Sequence, residues 1–192
     1  MWARWELAGL TGARVPAFRT RLDLLRFAAS VANRDGLWVE FGVYDGETIN
    51  VLAGLTDRSV VGFDSFEGLP ARWTPRHPRG EFDLHGKDPQ VAASVTLVKG
   101  WFSKTLPPFA LQSAARDVAL AHIDCDLYSS TKEIFRAFAS AIHPGTVLVF
   151  DEYTGVVPDD EARAFREFLR STGHRFQYLG CSMSGSVAVR IA

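Results

Sequence analysis

The chain has 192 residues and a formal net charge of −1. Its length suits one domain spanning 1–192 with a sizeable core, and its near-zero charge argues against nucleic acid as a general partner. Cys125 and Cys181 form neither a disulfide framework nor a paired zinc motif, which favours a reduced, cytoplasmic setting. The first residues lack a long apolar run, so we expect no signal peptide and no membrane partner. The sequence does not decide whether the protein forms a homo-oligomer.

Apolar periodicity predicts strands that alternate with helices along the chain. An N-terminal helical segment, 1–35, comes first and contains an amphipathic helix over 18–34. Predicted strands follow at 37–41, 59–63, 95–98, 118–123 and 146–150, and predicted helices at 47–55, 108–115, 129–141 and 158–171. The segments 176–179 and 186–191 flank a Gly/Ser turn and predict a closing hairpin. This order predicts an α/β fold with a doubly wound, mostly parallel sheet and an antiparallel C-terminal hairpin.

A turn with two glycines four positions apart follows the first long strand. The sequence Val39–Thr48 reads VEFGVYDGET, so Glu40 lies near the end of the strand, and Gly42, Tyr44 and Gly46 belong to the turn before a helix. Glycine lets the backbone approach a ligand closely. An acid at this strand end disfavours a pyrophosphate and favours a ligand with an amino group and a sulfonium. We therefore expect Glu40, Gly42, Tyr44 and Gly46 to bind a cofactor.

Residues after the second and third strands suit the adenosine part of such a cofactor. Asp64 lies 24 positions after Glu40 and precedes Ser65, and an acid at about this distance accepts hydrogen bonds from ribose hydroxyls. Gly100, Trp101 and Phe102 follow the third strand. The two aromatic rings either stack on an adenine or belong to the core.

Acids also end the fourth and fifth strands. Asp124 and Asp126 flank Cys125, and Asp151 precedes Glu152. Carboxylates gathered at neighbouring strand tips repel one another and need a positive partner. A divalent cation with hard oxygen ligands, Mg²⁺ in particular, fits this need. The alternative is a set of acids that begin helices and turns.

The segment 67–90 is rich in Pro, Gly, Arg and His and shows no periodicity. A loop this long inside a compact domain is usually functional or disordered. We predict a lid that a ligand orders. His77 and His85 lie in this segment, and either is a candidate general base.

These motifs together resemble the TylF/MycF-related, macrocin-type O-methyltransferases over most of residues 36–155. The resemblance rests on the glycine turn and on four further stretches, read here from the sequence: VGFDSFEGLP at 61–70, KGWFSKTLP at 99–107, IDCDLYSST at 123–131 and VFDEY at 149–153. DSFEGLP and DxDLYxST are specific when both occur in this order.

The resemblance implies a Rossmann-like class I S-adenosylmethionine fold with seven strands, the last antiparallel. It places Glu40 and Gly42 near the methionine part of the cofactor, Asp64 on the ribose and Gly100 to Phe102 around the adenine. It implies Mg²⁺ bound by Asp124, Asp151 and Glu152, holding a sugar diol and lowering the pKa of one hydroxyl. Asp124 is accordingly a candidate for catalysis as well as for cofactor and metal binding.

The resemblance therefore implies O-methylation of a small hydroxylated molecule, such as a sugar or related natural product. Two departures bear on this: the chain is shorter than the macrolide-sugar enzymes, and Glu152 stands where Asp is common. A nicotinamide-dependent oxidoreductase is one alternative, although the turn lacks the third glycine of G-x-G-x-x-G. A non-catalytic cofactor-binding module is the other. The sequence leaves the catalytic base open.

Overall fold

The computed structural model describes residues 15–33, 35–112, 116–154 and 160–192, so residues 1–14 and 34 of the predicted N-terminal segment lie outside the described residues. The strands are β1 Ala17–Phe18, β2 Leu37–Phe41, β3 Val60–Asp64, β4 Val95–Lys99, β5 Val118–Ile123, β6 Val147–Phe150, β7 Phe176–Ser182 and β8 Val187–Ile191. The helices are α1 Arg21–Val31, α2 Glu47–Ala53, α3 Phe102–Gln112, α4 Tyr128–Phe138 and α5 Asp160–Thr172, with a short 3₁₀ turn at Ala139–Ala141.

The strands form one sheet in the order β1-β7-β8-β6-β5-β2-β3-β4. Among the described strands β8 alone runs antiparallel to its neighbours, pairing with β6 and β7, while the other pairs are parallel. This confirms the doubly wound α/β prediction and its closing hairpin. The sheet has one strand more than the resemblance implies, because the two-residue β1 pairs with the edge of β7.

Helices cover both faces of the sheet, because successive residues of a strand point to opposite sides. Leu37, Val39 and Phe41 of β2 join the cluster formed with α3, α4 and α5. Trp38 of the same strand joins the second cluster, with α1 and α2. The chain winds from β2 toward β4 on one side and from β5 toward β6 on the other, so strand order reverses between β2 and β5.

The prediction for the helix at 108–115 is wrong in its start. Helix α3 begins at Phe102 and contains both Pro107 and Pro108. Proline removes a backbone donor and disfavours a helix interior, which is why the sequence suggested a later start. Packing outweighs this cost here, since Leu106 is fully buried and Phe109 packs on the core. The early start brings the first turn of α3 to the tip of β4.

No helix within the described ranges is long and apolar enough to cross a membrane.

Candidate active site

A cleft of about 730 Å³ opens at the carboxyl ends of the strands. Its walls come from the loops after β2, β3, β4, β5 and β6, together with Arg21 at the start of α1. In an open doubly wound sheet the ligand lies in this crevice, where strand order reverses. The cleft therefore occupies the position at which the fold places a binding site.

The glycine turn after β2 packs directly against the tip of β5. Gly42 has φ +89°, and a Cβ placed on it would lie 1.8 Å from the carbonyl oxygen of Asp124. Its amide also donates to the carbonyl of Phe63, 2.9 Å away. Only glycine fits between these two strand ends. Gly42, Tyr44 and the turn between them line the cleft, whereas Gly46 begins α2 behind it.

Asp64 holds the glycine turn in shape. One carboxylate oxygen accepts hydrogen bonds from the amides of Val43, at 2.8 Å, and Tyr44, at 2.9 Å, and the other accepts from the amide of Phe66, at 2.7 Å. A carboxylate offers about four acceptor positions, so these three bonds leave capacity for a ligand hydroxyl. Asp64 and Ser65 both line the cleft. The acid predicted for ribose binding thus also fixes the loop beside it.

Glu40 lies behind the cleft and has no accessible surface. Its carboxylate accepts a hydrogen bond from the Thr48 hydroxyl and lies 3.0 Å from Nδ1 of His122. Burial raises the pKa of Glu40 despite these partners. Burial alone lowers the pKa of His122, but the bond and charge of Glu40 outweigh it and raise that pKa to about 9. Glu40 is not among the residues that line the cleft, so its expected place near the cofactor, in contact directly or through water, stays a prediction.

Residues after β4 form the wall predicted for the adenine. Gly100, Trp101 and Phe102 all line the cleft. Phe102 also packs edge-on against Phe41, with ring centroids 6.0 Å apart. Phe102 therefore contacts the core as well as the cleft. Stacking on an adenine stays a prediction.

Carboxylates gather at the tips of β5 and β6. Ligand atoms of Asp124, Asp151 and His122 lie within 4.8 Å of one another. Burial and the charge of Asp151 raise the pKa of Asp124 well above its usual range. The same two causes raise the pKa values of Asp126 and Glu152 to about 7. Of the three acids expected to bind Mg²⁺, Asp124 and Asp151 lie together, whereas Glu152 lines the cleft outside this compact group.

Sequence reasoning missed Arg21. One guanidinium nitrogen, Nη1, lies 3.1 Å from Asp151 Oδ2 and 3.3 Å from Asp124 Oδ2. The other, Nη2, lies 2.8 Å from Glu47 Oε2. Burial alone lowers the pKa of Arg21, but Glu47, Asp151 and Asp124 together raise it. The signal in the sequence was indirect, since the acids require a positive partner that their spacing does not identify.

The acid pair fits a hard divalent cation. Asp124 and Asp151 supply carboxylate oxygens, the ligand type that Mg²⁺ prefers, and the guanidinium between them shows that they accept a shared positive charge. His122 is the third residue of this group. Its Nδ1 pairs with the carboxylate of Glu40, and a metal-binding histidine commonly makes such a pair through the ring nitrogen that does not bind the metal.

The predicted lid is folded over one side of the cleft. A bridge joins Glu67 to Asp83, and Leu69 exchanges backbone hydrogen bonds with Gly80 and Glu81. The lid contributes several side chains to the cleft wall, namely those of Leu69, Pro70, Trp73, His77 and Phe82. Whether a ligand orders the lid stays a prediction.

The two lid histidines differ in position. His77 lines the cleft, and its Nδ1 lies 2.8 Å from the Thr74 hydroxyl. The side chain of His85 is 84% exposed, pairs with Asp83 and does not line the cleft. His77 is therefore the better placed of the two candidate bases in this arrangement, because the ring of His85 faces solvent.

Residues 39–153 match the model of a family described as a methyltransferase domain, which is more than half of the chain. The chain belongs to this methyltransferase family. The fold and the cleft agree with a class I S-adenosylmethionine-dependent member. Membership decides against the nicotinamide oxidoreductase alternative.

Individual relatives methylate hydroxyl groups. One is the 8-demethyl-8-(2,3-dimethoxy-alpha-L-rhamnosyl)-tetracenomycin-C 4'-O-methyltransferase of Streptomyces olivaceus, 29% identical over 160 residues. That alignment covers 69% of this chain and 60% of the relative, so the chain spans less than two thirds of the relative's length.

Two solved structures share the methyltransferase fold. The calicheamicin methyltransferase CalS11 has a TM-score of 0.63 at 23% identity, and the match covers 88% of this chain and 76% of the CalS11 chain. The O-methyltransferase NovP has a TM-score of 0.66 at 21% identity, and the match covers 88% of this chain and 78% of the NovP chain.

Proposed function

We propose that the protein transfers a methyl group from S-adenosylmethionine to a hydroxyl group of a small molecule, a sugar or related natural product, with help from Mg²⁺. One observation carries the proposal. The wall expected to bind the cofactor and a pair of carboxylates that share a cation, Asp124 and Asp151, face the same cleft. Methyl transfer needs this adjacency, because the acceptor oxygen must lie in line with the methyl carbon and the sulfur.

On one side of the cleft, the glycine turn and Asp64 make most of the contacts that we propose with S-adenosylmethionine. The carboxylate of Asp64 already accepts hydrogen bonds from the amides of Val43 and Tyr44, so the turn is organised before a ligand binds. Its remaining acceptor positions suit the two hydroxyls of a ribose. Trp101 and Phe102 supply apolar surface on the next wall for the adenine. Glu40 supports this side from behind through Thr48 and His122.

The acceptor side holds the acids. Asp124 and Asp151 would hold Mg²⁺, with Glu152 in the same cleft wall. A bound Mg²⁺ lowers the pKa of a coordinated hydroxyl and orients it. Asp124 is also a candidate proton acceptor, because it lines the cleft on the side proposed for the acceptor. His77 is the second candidate acceptor of the proton on this side.

The lid excludes water from the acceptor side. Phe82 packs edge-on against Tyr44, with ring centroids 5.4 Å apart, and stacks with His77 at 6.1 Å. Trp73 packs on the other side of His77, at 4.9 Å. These rings contribute apolar surface to the cleft that the acids also line, and exclusion of water by such surface would strengthen electrostatic interactions with a bound hydroxyl.

The acceptor class follows from the relatives by analogy. The Streptomyces olivaceus enzyme is named for methylating a rhamnosyl group. At 29% identity this supports a hydroxylated sugar or glycosylated product as the first class to test. A non-catalytic binding module stays the alternative, and turnover separates the two.

Thermal unfolding with S-adenosylmethionine, S-adenosylhomocysteine or NAD⁺, each with and without Mg²⁺, tests the binding part. A ligand at 100 times its dissociation constant adds about 2.7 kcal/mol to the unfolding free energy. We expect stabilisation by the sulfonium cofactor and its product but not by NAD⁺. Formation of S-adenosylhomocysteine over a panel of glycosides and phenols then tests turnover. Stabilisation by NAD⁺ alone would overturn the proposal.

A further inference from the structure

Arg21 occupies the position at which a cation would meet the acid pair. Its Nη1 lies 3.1 Å from Asp151 Oδ2 and 3.3 Å from Asp124 Oδ2, the same two carboxylates that the proposed function assigns to Mg²⁺. A guanidinium and a metal ion cannot both sit between these oxygens. The contact therefore raises the question of which cation the acids hold.

The backbone of Arg21 is held in helix α1, while its side chain is only partly enclosed by the protein. Arg21 begins α1, whose N-cap Thr20 accepts the amide of Asp23. Leu24, Leu25 and Ala28 bury the helix against the sheet. The Arg21 side chain, in contrast, is 37% exposed. Rotation of this side chain out of the acid pair requires no movement of the helix.

Glu47 provides a partner outside the acid pair. Its Oε2 lies 2.8 Å from Arg21 Nη2, the shortest of the three ion pairs of Arg21, and its side chain is 52% exposed. Because Glu47 stands in the first turn of α2, beside the glycine turn, it keeps the guanidinium near the cleft after Asp124 and Asp151 release it. The two arrangements differ in which acids hold the guanidinium.

We propose that Arg21 is a built-in counter-ion that competes with the divalent cation for Asp124 and Asp151. The acids hold the guanidinium together with Glu47 when no metal is bound, and metal binding displaces the guanidinium from Asp124 and Asp151 and leaves it paired with Glu47 alone. This inference rests on the magnesium part of the proposed function. It explains how the protein stays folded when no metal neutralises these neighbouring carboxylates, since an unpaired buried charge is costly. It also lowers the affinity for metal, because each metal ion must displace a bound cation.

Mn²⁺ binding measured by electron paramagnetic resonance, without cofactor or acceptor, tests the competition. The variant Arg21→Gln removes the charge, and Arg21→Met is a second variant if the first folds poorly. Arg26→Gln is the matched control, since Arg26 lies on the same helix and pairs only at 3.8 Å with the exposed Asp23 among the ion pairs described. Circular dichroism and thermal unfolding establish that each protein is folded.

We expect the Arg21 variants to bind Mn²⁺ about tenfold more tightly than the wild type, as removal of a competing charge at this distance implies. Arg26→Gln should leave the affinity unchanged, and adding Asp151→Asn to Arg21→Gln should abolish the gain. Equal or weaker Mn²⁺ binding by both folded Arg21 variants, or no binding by any protein, would overturn the inference. Neither result touches cofactor binding, so failure here is distinguishable from failure of the methyltransferase proposal.

Discussion

A Cβ on Gly42 would lie 1.8 Å from the carbonyl oxygen of Asp124, so the cofactor turn and the acid-bearing loop meet with no room for a side chain. This contact joins the two halves of the proposed active site. It links the first glycine of the β2 turn to the tip of β5, 82 positions later along the chain (124 − 42).

Replacing Gly42 with alanine should therefore damage both stability and binding. We expect a loss of about 3 kcal/mol or more in the free energy of unfolding, because the clash is with backbone that cannot move aside cheaply. Gly145→Ala is the control: φ is +102° there too, but nothing lies within 4 Å of the added methyl group. It should cost only about 1 kcal/mol, from the left-handed backbone. Urea unfolding measures both, and equal losses would contradict the packing argument.

The substitution Asp151→Asn should separate chemistry from cofactor binding. The carboxylate of Asp151 accepts from Arg21 and from the Ser186 hydroxyl and lies with the acids rather than beside Asp64. We expect turnover to fall about 100-fold or more, while binding of S-adenosylhomocysteine changes less than about threefold, a small effect on the scale of one hydrogen bond. Asp57→Asn, on an exposed turn, is the control. Undiminished turnover, with its Mg²⁺ dependence intact, would refute the assigned role.

The two lid histidines form a matched pair for testing. His77 lines the cleft between Trp73 and Phe82, whereas His85 is mostly exposed and does not line it. His77→Ala should lower kcat/KM for the acceptor by about tenfold or more, in the range of lost positioning or proton transfer. His85→Ala should leave it within about twofold, as at most surface sites. A larger effect at His85 would show that the lid adopts another arrangement during turnover.

Much of the fold could be predicted from the sequence because its signals are local. Apolar runs and their spacing located the strands from β2 to β8, and the position of Asp64 at the end of β3 placed it at the cleft. The start of α3 was missed because Pro107 and Pro108 disfavour a helix locally, while burial of Leu106 stabilises it.

The pairing within the site depended on long-range contacts and could not be predicted in the same way. The end of a strand suggested a place near the cofactor for Glu40, but nothing local indicated that Glu40 pairs with His122, 82 positions away. Arg21 looked like an ordinary helix residue, yet it meets acids 103 and 130 positions away. Local spacing identifies which acids share a sheet edge, but only the packed fold determines which cation reaches them.

Stability should fall as pH rises from about 4 to about 7 when metal is chelated. Burial and Asp151 raise the pKa values of Asp126 and Glu152 to about 7, whereas carboxyls in an unfolded chain titrate near pH 4. The folded protein therefore binds these protons more tightly. The contribution of these protons to the stability of the folded protein is therefore complete below about pH 4 and is lost as pH rises to about 7.

Thermal unfolding between pH 5 and pH 8 in EDTA measures this effect. Asp126→Asn should reduce the drop in midpoint, since asparagine keeps the shape and tolerates the left-handed backbone of Asp126, at φ +63°. Asp57→Asn should leave the drop unchanged. If Asp126→Asn leaves it unchanged as well, Asp126 does not titrate in this range.

The most direct test of the account is calorimetric titration of S-adenosylhomocysteine into the wild type and Asp64→Asn, with NAD⁺ as the comparison ligand. We expect the wild type to bind S-adenosylhomocysteine and not NAD⁺. The variant should bind about tenfold or more weakly, because the amide loses acceptor capacity toward both the ribose hydroxyls and the turn amides. Binding of NAD⁺ instead, or equal affinity of the two proteins for S-adenosylhomocysteine, would contradict the assignment of this cleft.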